Sequence, residues 1–213
     1  MFGGVFFFAR TERGHDVVEN VVRAAVDLRA MHRVAGHKDV ILAASAESLV
    51  DPNLLAGIML SESSGRIGAR SHKDALGLFQ LRIGTAIERA QVLGLPPPTE
   101  EDLLSDPLLN ARLGADYFSW LLDRQGGDVE RALIAYNAGP TRLARWIDEA
   151  GDYATWRAGR VAAGNSGVLA YAAKVERYRR RFREKGVFAP DETDASHQET
   201  TSQNASTDTN AGR

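Results

Sequence analysis

The position of Glu62 suggests chemistry more strongly than that of any other residue in this sequence. Leu55, Ile58 and Met59 follow helical spacing, and Glu62 takes the next place on the same apolar stripe. A carboxylate there is costly unless it is paired or keeps its proton through a raised pKa. Ser63-Ser64-Gly65 should end the helix, so the carboxylate lies at the negative end of the helix dipole, which also disfavours ionisation. The pattern predicts a general acid that is still protonated near neutral pH.

The helix alone leaves a simpler interpretation open, in which Glu62 turns to solvent or pairs with Arg66 or Arg70. The sequence that follows favours chemistry. A polar loop containing Ser71 leads into Gly-Leu-Phe-Gln at 77–80, and Ala-Tyr-Asn-Ala-Gly-Pro follows at 135–140. Tyr171 then begins a late Tyr-Ala-Ala-Lys-Val segment.

Taken in this order, the motifs resemble the goose-lysozyme-like catalytic (SLT) domain of bacterial lytic transglycosylases, over roughly residues 39–180. The resemblance implies a compact all-α, lysozyme-like domain with a glycan-binding cleft, in which Glu62 is the sole catalytic carboxylate. It also implies non-hydrolytic cleavage of the β-1,4 bond between N-acetylmuramic acid and N-acetylglucosamine in peptidoglycan. Glu62 would protonate the leaving oxygen and then take a proton from the muramic 6-hydroxyl, which gives a 1,6-anhydro end.

The resemblance further assigns substrate-binding roles to five residues. Ser71 would hydrogen-bond substrate or the acid, and Gln80 would offer its amide to sugar hydroxyls or acetamide. Tyr136 and Asn137 would line the cleft wall, and Tyr171 would point its hydroxyl at the acid. From the residues alone, loop geometry, capping and helix packing compete with these roles.

Further expectations concern the surroundings of this site. Gly77 would let the backbone pass close to the glycan. The aromatic residues Phe79, Tyr117, Trp120 and Trp146 are predicted to lie mainly in the core.

Two alternatives to a transglycosylase remain open. Asp74, in the loop between Glu62 and Gln80, could hold a water on the opposite sugar face. The protein would then be an inverting, lysozyme-type hydrolase with carboxyl groups about 6.5–9.5 Å apart. A non-catalytic glycan-binding or scaffold module is the other alternative, although a pure binder does not need the acid.

The elements that must position these residues are predicted to be helices, because no segment shows sustained period-two alternation. Asp51-Pro52 and Asp106-Pro107 are start signals, and Thr99 to Asp102 resembles a capping box. Loops are expected at 63–76 and 93–98. The predicted helices cover about 16–34, 38–49, from 51 to about Glu62, a short segment after Thr99, 106–123, 129–137, 141–150 and 166–185.

Three regions are predicted along the chain. Residues 1–37 form an N-terminal apolar stretch and a leading helix, 38–187 the catalytic domain, and 188–213 a polar tail whose composition predicts disorder. The apolar start has no basic segment before it, so the export signal is weak. No apolar run approaches the roughly 20 residues that span a bilayer.

Composition excludes other classes of protein. The 213 residues carry a formal charge of -2, which argues against a nucleic-acid binder. With 0 Cys there are no disulfides, thiolate metal sites or cysteine nucleophiles, and the five His show no metal-ligand spacing, so no metal or cofactor is expected. The expected partner is the peptidoglycan glycan strand, which implies the cell envelope or periplasm. We expect a monomer, and association with a membrane or an envelope complex is left open.

Overall fold

The computed structural model describes residues 26–164 and 166–189, and most of them are helical. None of the helices in this part of the chain is both long and apolar enough to cross a membrane. The predicted N-terminal apolar stretch, the start of the leading helix and the polar tail from 190 onward lie outside the described residues. The helices are α1 (26–35), α2 (Lys38–Ser48), α3 (Pro52–Glu62), α4 (Ile83–Val92), α5 (Glu100–Ser105), α6 (Pro107–Arg124), α7 (Val129–Ala138), α8 (Pro140–Ala150), α9 (Tyr153–Ala162) and α10 (Gly167–Glu184).

The predicted helix starts are confirmed by their capping bonds. The Asp51 side chain accepts a hydrogen bond from the Asn53 amide at the start of α3, and Asp106 caps α6 in the same way. Thr99 and Asp102 form a complete capping box at α5. Each cap satisfies amides that the first turn of a helix leaves free.

Helix α3 is buried nearly all round rather than along one stripe, since every residue from Leu54 to Leu60 is buried. It lies against α10, and Gly57 makes the close approach possible. A Cβ at Gly57 would come within 2.9 Å of the Val175 carbonyl oxygen and 3.2 Å of the Arg179 amide nitrogen. The apolar core therefore holds the catalytic candidate's helix on all sides.

The basic end of α10 ties this pair of helices together. Arg179 and Arg183 both contact the Asp51 carboxylate, at 2.8 and 3.2 Å. Burial raises the pKa of Asp51, but its hydrogen bonds to Asn53 and Arg179 outweigh that effect and leave the pKa below its ordinary value. Asp51 thus caps α3 and anchors α10 at the end opposite Glu62.

Three elements were not predicted from the sequence. A two-stranded antiparallel hairpin, β1 (Ala75–Leu76) and β2 (Leu81–Arg82), begins at the end of the expected 63–76 loop and pairs Leu76 with Leu81. Helix α4 begins after Arg82, whose side chain makes no capping bond. Helix α9 buries only Trp156. Two-residue strands are too short for alternation to show.

Candidate active site

Glu62 is the last residue of α3, and the chain leaves the helix through two left-handed residues, Ser64 and Gly65, with φ of 57° and 74°. Its Oε1 accepts a hydrogen bond of 2.6 Å from the Tyr171 hydroxyl on α10. Burial raises the pKa of Glu62, and the Tyr171 hydrogen bond and the charge of Lys174 lower it by a smaller amount, so the pKa stays above its ordinary value. The side chain is placed to carry a proton to a pH where a free glutamate has lost it.

The simpler interpretation, in which Glu62 pairs with a nearby arginine, is wrong. Arg70 donates to Glu100 at 2.8 Å and approaches Asp74 at 3.8 Å. No ion pair joins Glu62 to Arg66 or Arg70 in the described part of the chain.

Two partly buried tyrosines flank the acid. The Tyr136 hydroxyl, on α7, donates to the Phe79 carbonyl at 2.6 Å. Burial, reinforced by the nearby Glu62 charge, holds the pKa of both Tyr136 and Tyr171 well above the usual range. Both hydroxyls therefore stay protonated and act as hydrogen-bond donors.

The hairpin is fixed in place by Asn110, a fully buried residue of α6 that sequence reasoning missed. Its side-chain oxygen accepts from the Phe79 amide at 2.9 Å, and its NH₂ donates to the Leu76 and Leu103 carbonyls at 3.0 and 3.1 Å. Asn110 interrupts an apolar face of α6, which is the same signal that singled out Glu62.

Gly77 packs against α6. Its φ is 74°, and a Cβ there would lie 2.2 Å from the Asn110 side-chain nitrogen and 2.3 Å from the Leu103 carbonyl oxygen. The glycine makes room for Asn110 and is not among the residues that line the cleft, so a close approach to a glycan stays a prediction.

Gln80 lines the cleft, but its NH₂ group is already engaged. It adopts a left-handed φ of 49° and donates to the Ala69 and Gly77 carbonyls at 3.0 and 2.9 Å. The Gln80 NH₂ group is therefore already used within the protein. The side-chain carbonyl oxygen of Gln80 can still accept a hydrogen bond from a ligand hydroxyl or N–H.

Ser71 and Asn137 also reach the cleft. The Ser71 hydroxyl oxygen accepts from the Lys73 and Ala75 amides at 3.2 and 3.0 Å, which closes the turn before β1. Its hydrogen bonds are to this turn and not to Glu62. Asn137 is exposed near the end of α7.

These residues surround an open cleft of about 760 Å³. Tyr117, predicted to be core, is only partly buried and lies on the cleft wall, 5.4 Å from the Tyr136 ring. Phe79, by contrast, is fully buried, as predicted. The cleft is lined by Glu62, Ser71, His72, Lys73, Ala75, Gln80, Leu81, Arg82, Thr85, Tyr117, Tyr136, Asn137, Ala138, Gly139, Pro140 and Arg142.

Glu62 is the only carboxylate among the described residues that line this cleft. The Asp74 side chain is 79% exposed, pairs with Arg70, and is not part of the lining. Across residues 26–164 and 166–189, no three His, Asp or Glu side chains are grouped so that they could hold a metal ion. The arrangement can therefore deliver one proton, from one buried acid, into an open groove.

A helical domain with a partly buried acid at the edge of an open cleft is the arrangement expected of a lysozyme-like protein. The model of the transglycosylase SLT domain family matches residues 39–158. The chain belongs to this family.

Curated relatives share its sequence over part of their length. A transglycosylase of Enterobacteria phage PRD1 is 40% identical over 108 residues, which are 51% of this chain and 36% of that protein. The soluble lytic murein transglycosylase of Escherichia coli K12 is 30% identical over 90 residues, 42% of this chain and 14% of that protein. The chain thus spans well under half the length of either relative.

Solved structures share the fold. The lytic transglycosylase Slt of Pseudomonas aeruginosa, solved as an inactive mutant, matches with a TM-score of 0.62 and 26% identity over 72% of this chain and 25% of that one. The complex of a 70 kDa soluble lytic transglycosylase with bulgecin A matches with a TM-score of 0.61 and 22% identity, over 73% of this chain and 26% of that one. Because its sequence identity is only 22%, the second match shows a shared fold and nothing further.

Proposed function

We propose that this chain is the catalytic domain of a peptidoglycan lytic transglycosylase, working in the cell envelope. Membership of the SLT family supports this activity, and one observation carries the mechanism. Glu62 is the sole carboxylate among the described cleft residues, and burial raises its pKa. A site with one such carboxylate suits a reaction in which the same group gives a proton and later recovers it.

In the proposed reaction, protonated Glu62 gives its proton to the glycosidic oxygen as the bond from that oxygen to the muramic anomeric carbon breaks. The muramic 6-hydroxyl oxygen then bonds to the anomeric carbon. Its proton returns to Glu62, so water is neither consumed nor released. The products are a free 4-hydroxyl on N-acetylglucosamine and a 1,6-anhydro muramic end.

The other predicted residues support this step in different ways. Tyr171 orients Glu62 through the 2.6 Å hydrogen bond and limits how far burial raises the pKa of the acid. Tyr136, fixed to the Phe79 carbonyl, keeps the hairpin against α7 beside the acid. Gln80 Oε1, Asn137 and the Tyr117 ring face the cleft and are proposed to contact the sugars. Ser71 shapes the turn that precedes β1 and contacts substrate from there.

Product analysis tests this proposal. We expect purified sacculi digested by the wild-type protein to yield anhydro-muramic ends by mass spectrometry. Glu62→Gln should lower the rate at least about 10²–10⁴-fold, because the acid is lost, while binding to sacculi is retained.

Asp74→Asn is the matched control, a carboxylate lost from the same region but outside the cleft, and it should leave rate and products unchanged. Reducing muramic ends, together with a dead Asp74→Asn variant, would instead identify a hydrolase. Absence of turnover in both wild type and Glu62→Gln would identify a binding module.

A further inference from the structure

The cleft carries three cations that the reaction does not use. Lys73 lies in the turn before β1, Arg82 ends β2, and Arg142 lies in the first turn of α8. All three are exposed, and all three line the cleft. Three separate segments of the chain thus contribute positive charge to a single groove.

These cations differ from the arginines elsewhere in the described chain, many of which are paired. Arg112, Arg157 and Arg179 each contact a carboxylate, of Glu47, Glu130 and Asp51 respectively. Lys73, Arg82 and Arg142 make no ion pair with any described side chain. Their charges are left available for a ligand.

The electrostatic balance of the cleft follows from its lining. Glu62 is the only described acidic residue there, it is bonded to Tyr171, and its pKa is raised. The cleft is therefore net positive whether or not Glu62 is ionised, although the whole chain has a formal charge of -2. A positive groove on a slightly acidic protein favours an anionic ligand at that groove and not a general attraction to polyanions.

The proposed substrate has its charge in one place. The N-acetylated sugars of a glycan strand are neutral, and the carboxylates of peptidoglycan belong to the peptide stems carried by muramic acid. Guanidinium groups bind carboxylates through parallel N–H donors, and an ammonium group adds a point charge.

We infer that Lys73, Arg82 and Arg142 bind the carboxylates of these peptide stems, so that the protein acts on stem-bearing strands in preference to bare glycan. This inference rests on the proposed function and adds the form of substrate that the cleft selects. The two arginines provide the directional contacts, and Lys73 contributes charge from the turn formed around Ser71.

The test compares two substrates that differ only in the stems, namely purified glycan strands with stems intact and the same strands after an amidase has removed them. For wild type we expect a lower KM on stem-bearing strands, and we expect that advantage to shrink as salt is raised. Arg82→Gln and Arg142→Gln should each raise KM on stem-bearing strands about threefold, and the double variant about tenfold, with kcat little changed. Neither should alter KM on bare strands.

Arg145→Gln is the matched control, because Arg145 lies on the same helix as Arg142, pairs with Glu149 at 3.6 Å, and is outside the cleft lining. It should behave as wild type. Equal KM on the two substrates, or a stem preference that survives the double variant, overturns the inference while the proposed function stands. Should wild type cleave neither substrate, the proposed function fails. In that case the affinity of Glu62→Gln for the two substrates tests the inference separately. Tighter binding to stem-bearing strands supports it, and equal affinity for both substrates overturns it.

Discussion

The acid and the wall opposite it are held in place by different forces. Around Glu62, α3 and α10 meet through apolar side chains and the close approach at Gly57. The hairpin wall, residues 69–82, is held by side-chain hydrogen bonds to its backbone, from Asn110, Gln80 and Tyr136. Apolar packing fixes the helix that carries the reacting group, whereas hydrogen bonds fix the surface that shapes the cleft. Each region should therefore respond to mutation in its own way.

The hairpin wall needs these bonds because its backbone is irregular. Asp74, Gly77 and Gln80 all have positive φ, which is costly for residues other than glycine. Buried amides and carbonyls in such a segment have few regular partners, so side chains must satisfy them.

The largest effect on stability is expected at Asn110, because truncating its side chain removes hydrogen bonds that hold the hairpin wall. Asn110→Ala removes three buried hydrogen bonds and leaves the Phe79 amide and the Leu76 and Leu103 carbonyls without that partner. We expect a loss of about 2–4 kcal/mol in the free energy of unfolding, measured by urea denaturation. Asn137→Ala, at an exposed position, is the control and should cost less than about 0.5 kcal/mol. A comparably small loss for Asn110→Ala would show that the hairpin is held by packing instead.

A smaller effect is expected from widening the α3–α10 contact. Gly57→Ala places a Cβ 2.9 Å from the Val175 carbonyl oxygen, so the helices must separate. We expect a loss of about 1–3 kcal/mol in stability, with a fall in kcat because the Tyr171–Glu62 bond is disturbed. In the control, Gly159→Ala, the added Cβ meets nothing within 4 Å. It should stabilise α9 by roughly 0.5–1 kcal/mol. Unchanged kcat in Gly57→Ala would show that this helix spacing does not position the acid.

Tyr171→Phe makes the smallest change near the acid, because it removes a single hydroxyl. That hydroxyl lowers the pKa of Glu62, so its loss should raise the pKa further and move the alkaline limb of the kcat profile to higher pH. The folded-state pKa already exceeds the unfolded one, so stability falls as pH rises from about 4.5 through the folded pKa. In Tyr171→Phe the loss of stability should continue to a higher pH. At neutral pH the free energy of unfolding should be about 1 kcal/mol lower than in wild type.

The matched control for that experiment lies on the same helix. The Tyr178 hydroxyl contacts Asp27 at 3.3 Å, and Tyr178 is not among the residues that line the cleft. Tyr178→Phe should leave the kcat profile in place. An unshifted profile in Tyr171→Phe as well would mean that this hydroxyl does not act on the acid.

The same contrast explains what the sequence could predict. The caps at Asp51, Thr99 and Asp106 and the helical fold class follow from local capping and periodicity, which are short-range signals. Glu62 could be singled out because it is a carboxylate that ends an apolar helix, although that helix is buried nearly all round and not along one stripe. Tyr117 was predicted to be core because periodicity shows burial but not which edge of a buried face borders a cleft. The partners of Asn110 are 7 to 34 residues away along the chain, so no local pattern could reveal them.

The central claim is that burial raises the pKa of Glu62 and so suits it to donate a proton, and its titration tests this most directly. The ¹³C shift of the Glu62 side-chain carboxyl can be followed against pH and assigned by comparison with Glu62→Gln. We predict a midpoint above the ordinary value of 4.5, and one higher again in Tyr171→Phe. A midpoint at or below 4.5 would mean that burial does not raise the pKa of Glu62, and would contradict this account of the proton donor.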